Sequence, residues 1–408
     1  MMKKTLLILF CLLLSFNAFS QEKKFRPAQI NFGFPLSTIN VKKAKEYTNA
    51  FSINLLVGIS KNERSLALAG ISNVIANNAT GLQIASVSNY IGNAGYGIEV
   101  AGVTNINKGS YNGIQASGVY NYSGSGNGIA VAGVANMSKS SYNGIQASGV
   151  YNYSGSGNGI AVAGVANMSK GAYNGIQVSG VYNYSGSGNG IAVAGVANMS
   201  KGSYIGLQLS GVTNIAGDVK GLQFAGVMNI AKNVKGVQFA TILNVAEESN
   251  FPIAFINIIK NGKMGVALSY DNMNNTMLSF RSGGKYTYGI LGVGYNNKVN
   301  DGSNIVAEAG YGIHIPITNW LEINNEFKAT SLGFSNDKVC YNASYLLAPS
   351  FTFLNHFNVF GGANFNYLYS NYVNSEDLLS NNCLGEKDNS DNKQRMFIGY
   401  QIGLQYVF

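Results

Sequence analysis

Chemistry needs side chains that ionise, ligate or attack, and this chain holds few of them. It has two histidines, His314 and His356, and three cysteines, Cys11, Cys340 and Cys383. The histidines lie in separate segments, so neither a nucleophile–histidine–acid triad nor a multi-histidine metal site has its parts. Gly124-Ser125-Gly126 resembles a piece of a nucleophile elbow, but it recurs with a repeat and reads as turn chemistry. Glu308, Glu322 and Glu326 are candidates for a paired-carboxylate site. They alternate with apolar residues, however, which predicts salt bridges to Arg281 and Lys328 inside a barrel, with His314 on the same lumen face. No Gly-Lys-Ser/Thr phosphate loop precedes a helix, and no repeated aspartate marks calcium turns. The sequence thus predicts no enzyme, no catalytic or metal-binding residues and no cofactor.

What the chain does repeat is a basic and aromatic pair. Lys108, Lys139, Lys170 and Lys201 recur every 31 residues beside Tyr111, Tyr142, Tyr173 and Tyr204. With two coils per period they would form a row spaced about 9.6 Å apart. Such a ridge could hold an acidic polysaccharide or lipopolysaccharide. The plainer reading is solvated lysines in turns and tyrosines covering a sheet edge. The formal charge of +9 favours acidic partners, while the lack of a Lys/Arg cluster argues against nucleic acid.

The element that must position these residues is a tandem array over residues 65–258. Its half-unit reads G-[I/L]-x-x-[A/S]-G-V-x-N, with lead glycines such as Gly113, Gly128, Gly144, Gly159 and Gly175 stepping by 15 or 16 residues. A fixed period of this kind marks a repeat architecture. With 51 glycines, 5 prolines and only 11% charged residues, apolar runs are cut short every few positions, so the class is all-β. A straight ten-residue strand is about 33 Å long, and five residues return only about 17 Å. Each coil must therefore bend, giving a narrow parallel β-solenoid. Asn105, Asn121, Asn136 and Asn152 would then stack as an amide ladder, and the lead glycines would make left-handed corners. Numbering the lead glycine as one, positions two, four and seven accept only apolar residues and are expected inside. Position eight accepts Tyr or Ser and is expected outside. The SGSG segments read as outward turns. The alternative is one large transmembrane β-meander barrel in which each half-unit is a membrane strand.

Residues 21–64 are expected to supply N-terminal cap strands. After residue 258 the pattern changes to eight longer amphipathic strands, at 263–270, 276–282, 285–295, 303–315, 320–333, 340–353, 357–371 and 395–408. The last alternates Met396, Ile398, Tyr400, Ile402, Leu404, Tyr406 and Phe408 against Gly399, Gln401, Gly403 and Gln405. Residues 259–408 therefore predict an eight-stranded antiparallel β-barrel with short turns near Gly283, Thr318 and His356. A terminal Phe on such a strand resembles the assembly signal of outer-membrane barrels.

Residues 1–20 read as a signal peptide. Lys3 and Lys4 precede an apolar core too short to span, and Ala18-Phe19-Ser20 fits a cleavage site. Cys340 and Cys383 would remain after cleavage, both at the external end of the barrel, where a disulfide is allowed.

The repeats resemble bacterial, Gram-negative surface-repeat proteins, with tandem G-[ILV]-Q-x-[AG]-G-[VL]-x-N units behind a signal peptide. Gly113-Ile-Gln-Ala-Ser-Gly-Val-Tyr-Asn121 and Gly221-Leu-Gln-Phe-Ala-Gly-Val-Met-Asn229 carry the likeness. The resemblance implies an exported, outer-membrane or cell-surface protein whose partners are outer-membrane lipid and the barrel-assembly machinery. It brings no known activity. The function expected from the sequence is a non-enzymatic, barrel-anchored repeat module for structural, adhesive or glycan contacts. A transport pore is the alternative if the repeats are membrane strands.

Overall fold

The computed structural model describes residues 24–33, 36–37, 41–299, 304–333, 340–371, 378, 383–388 and 392–408. The signal-peptide segment lies outside the described residues. The fold is all-β, with one helical turn at Val41–Ala44. It combines a parallel β-solenoid and a closed eight-stranded antiparallel barrel. The described residues fall into two compact units divided after Gly195.

In the first unit every repeat strand pairs in parallel with its counterpart one coil away. Thr104–Ser117 pairs with Tyr120–Ala132, aligning Gly113 with Gly128 and Asn105 with Asn121. Tyr120–Ala132 pairs in parallel with Ala135–Ser148 in turn. Parallel neighbours exclude the β-meander, whose strands would alternate in direction. The expected cap strands join the same stack: Phe25–Gly33 pairs in parallel with Thr48–Asn54, and that strand with Asn62–Ala69. The coil turns at three places. One is the lead glycine: Gly144 has φ +125°, and a Cβ there would lie 2.1 Å from the Gly128 carbonyl oxygen. A second is the Gly-Val pair at positions six and seven, as at Gly118-Val119. The third lies ahead of the lead glycine, at residues 76–77, 92–93 and 201–202.

Position eight faces outward as expected, as at the half-exposed Tyr120, but positions two, four and seven do not form the interior. Gln115 and Asn121 are each 1% exposed, whereas Ile114 is 40% and Val119 42% exposed. Positions two, four and seven thus face out, and positions three, five, nine and eleven face in. The interior is polar because polar groups hold the coils together. Asn121 Nδ2 donates to Asn136 Oδ1 at 2.9 Å and to the Val131 carbonyl at 2.7 Å. Asn136 repeats the pattern on Asn152 and Ala147, both within 2.9 Å. The ladder runs from Asn73 to Asn183 in this unit. Every rung satisfies a buried amide, which is the condition for burying it at all.

The 31-residue period has a packing cause. The residue two before the lead glycine points inward and alternates between Tyr and Gly: Tyr111, Gly126, Tyr142, Gly157, Tyr173. A Cβ at Gly126 would meet the Tyr142 ring at 2.3 Å, and one at Gly157 the Tyr173 ring at 2.5 Å. Each ring fills the space its glycine neighbour leaves. SGSG is thus no protruding loop: it lies within strands such as Tyr120–Ala132, at the register shift between Ser123 and Gly126 that overlies the bend at 92–93, with its last glycine beneath a tyrosine.

The second unit opens with the same coils, from Ala197–Ser200 to Ile256–Ile259, and the same ladder from Asn198 to Asn257. Its barrel strands are Met264–Asp271, Asn275–Gly283, Thr287–Asn296, Ile305–Pro316, Leu321–Leu332, Cys340–Phe353, Phe357–Ser370 and Lys393–Val407. Closure comes from pairing the first with the last, Gly265 opposite Val407 through Asp271 opposite Gln401. The ninth strand, Cys383–Asp388, adds to Lys393–Val407. The last coil docks on the barrel wall at its short-turn end. Asn257 N donates to Ser282 Oγ at 2.9 Å, and its side-chain amide to the Ser282 carbonyl at 3.1 Å. Phe251 stacks on Tyr286 and Phe255 on Tyr311, with ring centroids 5.0 and 5.1 Å apart.

Candidate functional site

The barrel interior gathers the charged residues that the sequence placed there. Strand alternation turns Arg281, Glu308, Glu322, Glu326 and Lys328 inward, and all are buried. Arg281 Nη2 lies 3.0 Å from Glu326 Oε1, with both side chains almost wholly enclosed. Lys328 Nζ lies 3.1 Å from Glu308 and 3.5 Å from Glu326. Tyr288 donates its hydroxyl to Glu326 at 2.8 Å, and its ring stacks on His314 at 4.1 Å. His314 Nδ1 is 3.0 Å from Asn324 Oδ1 and 3.5 Å from Glu322. Lys263 covers Glu322 from the rim at 2.6 Å. The Arg281 guanidinium sits 4.2 Å over the Phe360 ring. These groups neutralise one another across the lumen, so the carboxylates serve as ion-pair partners rather than as an open acid–base pair.

Above this network lies a hydrophobic plug of Met273, Met277, Val306, Leu332, Leu368 and Phe397, joined by Cys340. Cys340 is buried in it, and both Cys340 and Cys383 are free thiols. The disulfide allowed by the sequence is thus not formed in this structure. The plug, and the strand carrying Cys383, were missed by sequence reasoning. The inward parity of Met277 and Phe397 was the available signal.

The outer wall is apolar. Leu268, Val293, Phe327, Tyr341, Ile398 and Ile402 all point outward and are exposed. At the short-turn end the rings form a band: Trp320 on Phe351, Phe353 on Phe357, and Tyr406 against both Phe357 and Phe408. Clefts of about 530 to 680 Å³ lie between outward side chains of this wall. Among the described residues no helix is long and apolar enough to cross a membrane, and no three His, Cys, Asp or Glu side chains gather as a metal site.

The proposed ridge in the repeats comes apart. Lys108, Lys139 and Lys170 are exposed on the first unit and Lys201 on the second. Tyr111, Tyr142, Tyr173 and Tyr204 are buried, so they do not share a surface with the lysines. The Tyr111 hydroxyl oxygen instead lies 2.7 Å from both the Gly97 and the Ile114 carbonyl oxygens, either of which can accept its one proton. The half-exposed tyrosine near the lysine column is a different one: Lys108 Nζ lies 5.4 Å over the Tyr90 ring.

Two acids break the polar core's neutrality. Glu99 is fully buried at the position that other coils fill with Gln or Ala, and accepts from Asn107 at 2.7 Å and Gln115 at 3.0 Å. Glu63 accepts from Ser52 at 2.7 Å and Asn49 at 3.0 Å. Burial pushes each carboxyl up from its ordinary 4.5 to about 7, against the opposing effect of these hydrogen bonds. A carboxyl whose folded pKa exceeds its unfolded value holds its proton more tightly when folded. Stability is then full below about pH 4.5 and lost as pH rises to about 7, on the order of 3 kcal/mol per group. The repeat module is expected to melt higher at pH 5 than at pH 8. Glu63→Gln with Glu99→Gln should flatten that slope in thermal unfolding followed by circular dichroism.

No family model matches the chain, no curated protein matches it, and no solved structure does.

Proposed function

We propose that this is an exported outer-membrane protein of Gram-negative bacteria, in which the barrel is a lipid-seated anchor and the repeats are a non-catalytic interaction module. The observation that carries the reading is the barrel's polarity: an apolar wall with a ring of aromatics at one end, around a lumen packed with paired charges. Membrane barrels need the first feature, because lipid faces the wall. The second favours an anchor over a transport pore, because Arg281, Glu326, Lys328 and Tyr288 occupy the space an aqueous path would need. The repeat fingerprint and the strict in–out alternation of the closing strand Lys393–Val407 agree with that assignment. The outer-membrane lipid and the barrel-assembly machinery are its first partners.

The array's side of the membrane follows from the same reading. Short turns of such barrels face the periplasm. The last coil docks beside the short turn at Gly283, so the second unit's coils leave from the periplasmic end rather than from the cell surface. An extracellular adhesin is disfavoured accordingly. Planar-bilayer reconstitution of the full chain is the test. A protein that resists carbonate extraction from vesicles and leaves the bilayer electrically silent is the expected result; stepwise conductance would replace the anchor with a pore.

A further inference from the structure

The barrel reading says nothing of why a solenoid should wear its isoleucines and valines outside. In each unit the coil exposes apolar columns along one side and round a corner, and a polar side apart from them. In the first unit an isoleucine column through Ile114, Ile129 and Ile145 and a valine corner through Val119, Val134 and Val150 are exposed. The remaining side carries Asn127, Asn143 and Asn158, together with the lysines. The ten charged residues between 108 and 248 are seven lysines and three acids, and the apolar columns hold none of them. The second unit divides in the same way, with Leu222, Val227 and Phe239 exposed on its apolar sides and Lys220, Lys232 and Lys235 on the polar one.

We propose that the exposed apolar columns of the coils lie in a phospholipid leaflet, those of the second unit beside the barrel, with the lysine and asparagine side at the headgroups. Three observations select lipid over a protein partner. In the first unit the columns repeat one residue type, Ile114, Ile129 and Ile145 along the side and Val119, Val134 and Val150 at the corner, whereas a protein interface concentrates its energy in unique anchors that fluid hydrocarbon does not need. The apolar zone runs from the isoleucine column round the valine corner, so a rigid partner would have to wrap an edge of the coil. The zone also runs onto the barrel wall: Phe255 of the last coil stacks on Tyr311, whose ring faces out beside Phe327. The coil is therefore held at the level of the lipid-facing wall. Excess lysine on the polar side suits anionic headgroups.

This inference rests on the barrel being membrane-seated, and the test separates the two. Trp320 is the chain's one tryptophan and lies in the aromatic band. The full chain is reconstituted in vesicles of phosphatidylcholine and phosphatidylglycerol, with bromine on the acyl chains or without. In a Trp320→Phe background, a reporter tryptophan is placed by Val162→Trp or Val227→Trp on the apolar sides, or by Asn158→Trp on the polar side. The native side chains at all three sites are exposed, so each reporter points away from the core. Brominated lipid is expected to lower the Val162 and Val227 reporter signals about twofold and to spare the Asn158 reporter, given the shallow burial of an interfacial element. Quenching of native Trp320 with no quenching at Val162 and Val227 overturns the inference and leaves the barrel reading intact. Equal quenching of all three reporters overturns the sidedness and with it the inference. No quenching anywhere, Trp320 included, removes both readings.

Discussion

Glu326→Ala should destabilise the barrel by about 3–5 kcal/mol, because it leaves buried charge without a partner. Arg281 and Lys328 both lean on this carboxylate at 3.0 and 3.5 Å, and neither can reach water. Arg281 keeps only Gln405, at 3.4 Å, and the Phe360 ring. Tyr288 also loses its 2.8 Å acceptor in the densest part of the lumen. In urea titration of the detergent-folded chain, the midpoint should fall by about 2 M for a slope of 1–3 kcal/mol per M. Glu326→Gln should do less harm, since it keeps an acceptor for Tyr288. Arg281→Met added to Glu326→Ala should recover part of the loss, because it removes the stranded guanidinium. An unchanged midpoint for Glu326→Ala would mean that water reaches the network, and the sealed-lumen argument against a pore would fail.

Asn152→Leu is the corresponding test of the solenoid. The two side chains are close in size, so the change removes hydrogen bonds more than packing. Asn152 donates to Val162 O at 2.7 Å, Asn167 Oδ1 at 2.9 Å and Gln146 O at 3.3 Å, and accepts from Asn136 at 2.9 Å. Each buried polar group left unmatched costs about 1–3 kcal/mol. A loss of about 3 kcal/mol or more is expected, and in a stack of coils it falls mainly on the neighbours of the break. Amide exchange in Tyr151–Ala163 and the strands beside it should therefore speed up roughly hundredfold, while the barrel strands keep their protection. Exchange that stays slow around residue 152 would show that the ladder is ornamental and that the main-chain pairing alone holds the coils.

The sequence made the periodic and alternating features readable. The invariant Asn at position nine gave the ladder, the spacing gave the coil, and strict alternation gave the barrel strands with their inward Glu326 and Lys328. The direction of the coil's faces was not readable by the rule applied to it. Tolerance of many residue types reads as exposure, yet position eight and the inward column two before the lead glycine both accept large and small residues. The inward column tolerates Tyr and Gly because neighbouring coils compensate: the Tyr142 ring occupies the room left by Gly126. The outward columns keep Ile and Val with no core contact to demand them. Parity with Asn121 held the answer, since Gln115, Ser117 and Ser123 share its inward side. The hydrophobic plug around Cys340 was hidden for another reason. Its residues Met277, Val306, Leu332, Cys340, Leu368 and Phe397 come from six different strands, and no local pattern joins them.

The alternation of tyrosine and glycine also governs how such a chain can grow. Inserting one coil would stack ring on ring or gap on gap. Inserting two reproduces Tyr142 over Gly126 and Tyr173 over Gly157 without disturbing either neighbour. The ladder passes through the added pair unbroken, and the outer columns gain two more identical residues each. Length is thus free to change by recombination between near-identical copies, but only in even numbers of turns. Each event would extend the rod by about 9.6 Å while leaving its surface chemistry the same.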